Sequence, residues 1–183
     1  MKRVVVACVG MLLLAGCGAP SAVPSAPIEA PSTSAGPVVT GPGTYAYEVE
    51  GAVGTITLPG VADADVAGVV ALAKARKPVY VSVVVDNRKG AAEVMPAEVA
   101  AYTVDGSKVT YEAARTYLNT IDDSKMSIED GNKVIAVRNK LLDPVSVGET
   151  RTVTMVGMKP LPKDIVRVTV ADAYGDETQA TKK

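Results

Sequence analysis

Apolar and polar positions alternate with a period of two over much of the chain beyond residue 43. In Thr44–Gly51, "TYAYEVEG", Tyr45, Tyr47 and Val49 fall on one face and Ala46, Glu48 and Glu50 on the other, the rhythm of a half-buried strand. Val53–Leu58 gives Ile56 and Leu58 a common face before Pro59-Gly60 ends the run. Val79–Asp86, "VYVSVVVD", sets Val79, Val81, Val83 and Val85 on one side. Val84 makes the other side partly apolar too, which predicts a central strand. "AEVAAYTV" and "KVTYEA" flank Asp105-Gly106-Ser107, a hairpin signal because Asp and Gly tolerate the left-handed turn conformation. "TRTVTMVG" and "IVRVTVA" predict two more strands, the second burying Val166, Val168 and Val170.

The rhythm breaks in three places. Across Asp63–Lys77, Val66, Val69, Val70 and Ala73 follow i, i+3, i+4, i+7 spacing, Asp63 or Asp65 can cap the start, and Pro78 stops the run, predicting one short helix. Ala114–Asp143 is polar and mixed, with Val134–Val137 read as a short strand and the remainder as loop or helix. The ending "GDETQATKK" is polar and is expected to fray. About seven strands with one helix predict a mainly β fold of two antiparallel sheets, an immunoglobulin-like sandwich.

The order "YVSVVVDNRKG", "YTVDGSKVTYE", "DPVSVGETRTVTMVG", "DIVRVTV" resembles the immunoglobulin-like domain of exported bacterial, actinobacterial-type lipoproteins and antigens related to the mycobacterial immunoprotective extracellular protein. The resemblance lies in strand and turn order over Val79–Ala171. It implies a fold and an exported location, and brings no catalytic residue with it.

The amino terminus reads differently. Lys2 and Arg3 precede an uncharged apolar run, Val4–Gly16, the pattern of a secretory signal and too short for a transmembrane span. Leu14-Ala15-Gly16-Cys17 resembles the bacterial lipobox. That implies cleavage between Gly16 and Cys17 and attachment of diacylglycerol to the Cys17 thiol, whose two acyl chains suffice for stable anchoring. Cys8 would leave with the signal, so no disulfide is expected. Gly18–Gly43 carries six of the twelve prolines and one charge, Glu29, the composition of a disordered tether. The expected organisation is a signal peptide 1–16, an anchored linker 17–43, a folded domain 44–174 and a polar tail 175–183.

Charge is nearly balanced, 19 Lys+Arg against 20 Asp+Glu, so no basic field for nucleic acid exists. Loss of Lys2 and Arg3 leaves 17 against 20, a net of −3. The chain has seven Tyr but no Phe, Trp or His, which removes the commonest general base and metal ligand. No phosphate loop, zinc cysteine pair or nucleophile elbow occurs. Asp63/Asp65, Asp122/Asp123 and Glu129/Asp130 lack calcium-loop spacing and read as caps and solvated charge. No catalytic residue, metal or cofactor is therefore expected.

Asp86-Asn87-Arg88, at the end of the best strand, is the candidate binding cluster, although turn chemistry also accounts for it. Tyr102, Tyr111 and Tyr117 are expected to fill the core rather than face a ligand. These readings predict a non-enzymatic lipoprotein on the extracytoplasmic side of the cell membrane. Its domain would serve as a binding or interaction module for an envelope protein or ligand; the alternative is a carrier of a lipid or small ligand, with an envelope enzyme a distant third.

Overall fold

The computed structural model describes residues 36–183. Gly16 and Cys17, and with them the expected signal, cleavage site and anchor, lie outside those residues. The elements run β1 (Gly43–Val49), β2 (Ala52–Leu58), α1 (Ala64–Leu72), β3 (Val79–Asp86), β4 (Pro96–Thr103), β5 (Lys108–Ala113), α2 (Ala114–Asn119), α3 (Ile128–Lys140), β6 (Thr150–Gly157), β7 (Ile165–Asp172) and β8 (Glu177–Lys182). All pairings are antiparallel, and the strands close into a barrel in the order β1-β2-β3-β6-β5-β4-β7-β8.

This closure overturns the immunoglobulin-like sandwich, and the resemblance to the immunoprotective extracellular protein family that rested on it is not supported. The physical reason lies at two seams. Long ladders unite β1-β2-β3-β6 and, separately, β5-β4-β7-β8. The two sets are joined only by Glu112↔Val156 and Ala113↔Met155 between β5 and β6, and by Tyr45↔Lys182 and Ala46↔Thr181 between β1 and β8. Each strand buries one face in a barrel as in a sandwich, so alternation alone does not separate the two. Residues 177–182, expected to fray, are the strand that completes the ring.

Tyr45, Ile56, Leu58, Val81, Val83 and Met155 are among the side chains that fill the interior. The outer faces are largely polar, with Thr55, Thr57, Glu98, Lys108 and Arg167 at least partly exposed. An apolar inside and a polar outside is the reverse of a membrane-spanning barrel, and strands of six to eight residues are shorter than such barrels use. No helix among the described residues is long and apolar enough to cross a membrane.

With no Phe or Trp, tyrosines carry the interior volume, and two of them lie over glycines. Tyr47 is the cross-strand partner of Gly54, where a Cβ would come within 2.2 Å of its ring. A Cβ at Gly157 would meet the Tyr111 ring at 2.7 Å. The hydroxyls of both tyrosines are buried without a hydrogen-bond partner among the described residues, and burial pushes the Tyr111 phenol up to about 12 and raises that of Tyr47. An orphaned hydroxyl costs about 1–3 kcal/mol. Burying 150–250 Å² of ring contributes roughly 4–6 kcal/mol, so the ring outweighs its own hydroxyl. Tyr102 and Tyr117 do not join this core: Tyr102 stacks under Arg167 outside the barrel at 3.8 Å, and Tyr117 donates to the Arg76 carbonyl.

A second core lies outside the barrel, where Val66, Val69 and Val70 of α1, Leu118 of α2 and Val134 of α3 pack with Val156 of β6. Val134–Val137 is therefore helical, not a strand. Ser127 caps α3 by accepting from Asp130 N, and Glu129 pairs with Lys133 at 2.9 Å. Arg138 ties α3 to the end of α2, donating to the carbonyls of Leu118 and Ile121 and to Asp123. Those carbonyls would otherwise be open helix-end acceptors.

Candidate functional site: the open mouth of the barrel

The two ends of the barrel are built differently. At one end the chain before β1 folds over the opening. Thr40 N and Gly41 N donate to Ile165 O at 2.7 and 3.1 Å, the Tyr45 hydroxyl donates to Gly41 O, and Lys182 Nζ donates to the carbonyls of Thr40, Gly41 and Pro42. Three backbone acceptors on one ammonium make a plug of charge-assisted bonds.

At the opposite end the β1–β2, β3–β4 and β7–β8 connections surround a cavity of about 510 Å³. Its walls include Tyr47 and Val49 of β1, Val170 of β7, and Met95 and Pro144 from the loops. Glu50, Glu93, Asp172 and Asp176 also line it. None of these four carboxylates forms an ion pair among the described residues. Asp172 is partly engaged, accepting from Tyr174 N and Asp176 N. Apolar walls under an acidic rim suit a small molecule with an apolar body and disfavour anions.

Asn87 holds this end together. Its side chain is fully buried, and Nδ2 donates to Ala92 O and Val145 O, both at 2.9 Å. Its backbone N donates to Glu149 O, and its carbonyl accepts from Gly148 N. One carboxamide thus joins the β3–β4 loop to the segment entering β6. Asp86 and Arg88 lie on the flank: Arg88 Nε and Nη2 grip Asp86 at 2.8 and 2.6 Å, and this hydrogen bonding holds the Asp86 carboxyl well below the usual carboxylate range. Of the three adjacent candidates, Asn87 is a buried scaffold residue and Asp86 and Arg88 form a local ion pair; none of them lines the mouth cavity, while Asp86 and Arg88 border a separate surface hollow with Gly51, Val53 and Lys89.

The carboxylate pairs singled out in the sequence have structural partners. Asp63 caps α1, Asp65 meets Lys140 at 2.5 Å, Asp123 binds Arg138, and Asp122 accepts from Ser124 N. Among the described residues no group of three or more His, Cys, Asp or Glu is placed to hold a metal ion. The mouth carboxylates escaped sequence reading because they come from three separate connections, each an ordinary polar turn.

Fold and site together define a closed antiparallel barrel with a packed interior, one plugged end and one open, acid-rimmed end. The chain matches no family model, no curated protein and no solved structure.

Proposed function

We propose that the protein binds a small, uncharged or cationic molecule with an apolar body in the barrel mouth, without catalysis. We also propose that it does so on the extracytoplasmic side of the cell membrane, anchored through diacylglycerol on Cys17. The cavity of about 510 Å³ carries the reading, since it falls within the range of small-molecule sites, roughly 300–1,000 Å³. The packed interior argues for a ligand held at the mouth rather than an acyl chain drawn through the barrel. The lipobox-like Leu14-Ala15-Gly16-Cys17 supports the anchor, and Cys17→Ser should abolish lipid labelling and leave uncleaved precursor.

N-phenyl-1-naphthylamine and its sulfonated relative 1-anilinonaphthalene-8-sulfonate share an apolar frame and differ in charge. The neutral probe should bind and be excluded by Val49→Trp, which enlarges an inward side chain lining the mouth, while the sulfonate binds at least about tenfold more weakly against the acidic rim. Binding of neither probe, with no copurifying ligand in native mass spectrometry, would remove the small-ligand reading. A protein-interaction module is the second reading, favoured by Tyr174, which stands 93% exposed on the β7–β8 turn, since Tyr is enriched among the residues that carry binding energy at interfaces.

A further inference from the structure

We infer that the plugged end of the barrel is a docking face for an anionic lipid surface, so that the mouth opens away from the membrane. The orientation rests in part on the anchor reading above; the docking chemistry rests on the face itself. Strand registers gather that face from distant segments. Gly43 pairs with Leu58, Val79 with Gly157, Thr103 with Ile165, and Tyr45 with Lys182. The β2–α1, α1–β3 and β6–β7 connections therefore emerge beside the chain that enters β1.

Those connections carry Lys74, Arg76, Lys77, Lys159 and Lys163, all exposed. None of the five forms an ion pair among the described residues. Arg76 Nη2 reaches Met158 O at 3.3 Å, bringing the α1–β3 and β6–β7 connections together. The acidic groups of this end are Asp63, which caps α1, Asp105, held by Thr103 and Ser107 in its own turn, and Asp164. Apolar side chains stand among the cations: Val61 is 82% exposed, Val38 76%, and Val39 and Met158 are also exposed.

Cations interspersed with exposed apolar groups fit an anionic bilayer surface, where each Lys or Arg adds roughly a fivefold gain in partition. A nucleic-acid partner would leave the apolar groups unused. The chain reaches Cys17 from this same end. Residues 18–35 can span at most about 65 Å, so an anchor at Cys17 would keep the face within that reach of the bilayer without fixing its orientation, and the face sets it.

The chain has no Trp, so single indoles report position. Met158→Trp and Tyr174→Trp are made in the full chain, which is processed in cells and reconstituted in vesicles of phosphatidylglycerol with brominated acyl chains. Expected is strong quenching of the Met158→Trp indole and at most a third as much at Tyr174→Trp. The difference should vanish in phosphatidylcholine or at 0.5 M salt. Equal or reversed quenching in phosphatidylglycerol overturns the proposal. Mass spectrometry of the same sample tests the anchor separately. If Cys17 carries no lipid, the processed chain is mixed with preformed vesicles, and salt-sensitive binding to phosphatidylglycerol alone upholds the docking face while none overturns it. Lys74→Glu, Lys77→Glu and Lys163→Glu combined should weaken that binding on the order of a hundredfold, and retained binding would also overturn it.

Discussion

The plugged end and the mouth finish in the same kind of strand ends, yet one is covered by main chain and the other stays open, its loops tied by a single side chain. Sealing at the plugged end unites Thr40–Pro42 with Ile165 and Lys182 through bonds spanning most of the described chain. At the mouth, Asn87 ties loops together from one side and leaves the centre empty. An eight-stranded barrel encloses only enough room for its own side chains or one small ligand, so the end left unplugged is where a ligand can be held.

The largest expected effect comes from the plugged end. Ile165 is fully buried there, and its carbonyl receives the plug. Ile165→Ala should cost about 2–5 kcal/mol through the cavity it leaves, measured by urea unfolding. A loss no larger than that at the mouth would erase the contrast between the two ends. Asn87→Ala comes next: it leaves the Ala92 carbonyl without its donor and the Val145 carbonyl with Val94 N alone, and should cost about 1–3 kcal/mol. The same variant should weaken binding of the neutral naphthylamine probe, because the loops forming the cavity wall lose their common anchor. Unchanged probe binding at reduced stability would show that the mouth does not depend on this residue.

The smallest effect is expected in the wall between the ends. Tyr111→Phe removes an orphaned hydroxyl and should be neutral, or stabilising by up to about 1 kcal/mol. It should also change the alkaline limb. A buried phenol whose folded pKa stands at about 12, above its unfolded value near 10, makes folding weaken as pH rises between those values, because the unfolded chain releases the proton first. Below about pH 10 the group contributes no pH dependence. In Tyr111→Phe the fall in stability over that window should be shallower, with the remainder coming from the other groups raised in the same direction, Tyr47, Tyr80 and Tyr117 and the paired Lys108, Lys133 and Lys140 among them. Equal slopes in the two proteins would show that Tyr111 ionises as easily folded as unfolded.

Seven of the strands were legible because each has a face that must be dry. Tyr45 and Tyr47, Ile56 and Leu58, and the odd-numbered valines of β3 read directly as inward positions. In β7 the expected face slipped: Ile165 and Val168 are buried while Val166 is only partly so, since a register irregularity opposite Tyr102 and Thr103 shifts the pleat. The helix α3 was misread because Val134–Val137 is locally apolar. Its signals were Ser127 three residues before Asp130 and the Glu129–Lys133 spacing, a cap and an i,i+4 pair.

The sequence by itself determined the inward faces of β1, β2 and β3, the capped helix α1 and the Asp-Gly hairpin, because these depend on residues within a few positions of one another. Tertiary structure alone decided closure. The final strand "ETQATK" has one fully buried apolar side chain, Ala180, so no local pattern announces it. It is held by β7 and by β1, more than a hundred residues away. Closure also set the two ends apart, for the acidic rim and the basic face each collect side chains that are neighbours only once the ring is complete.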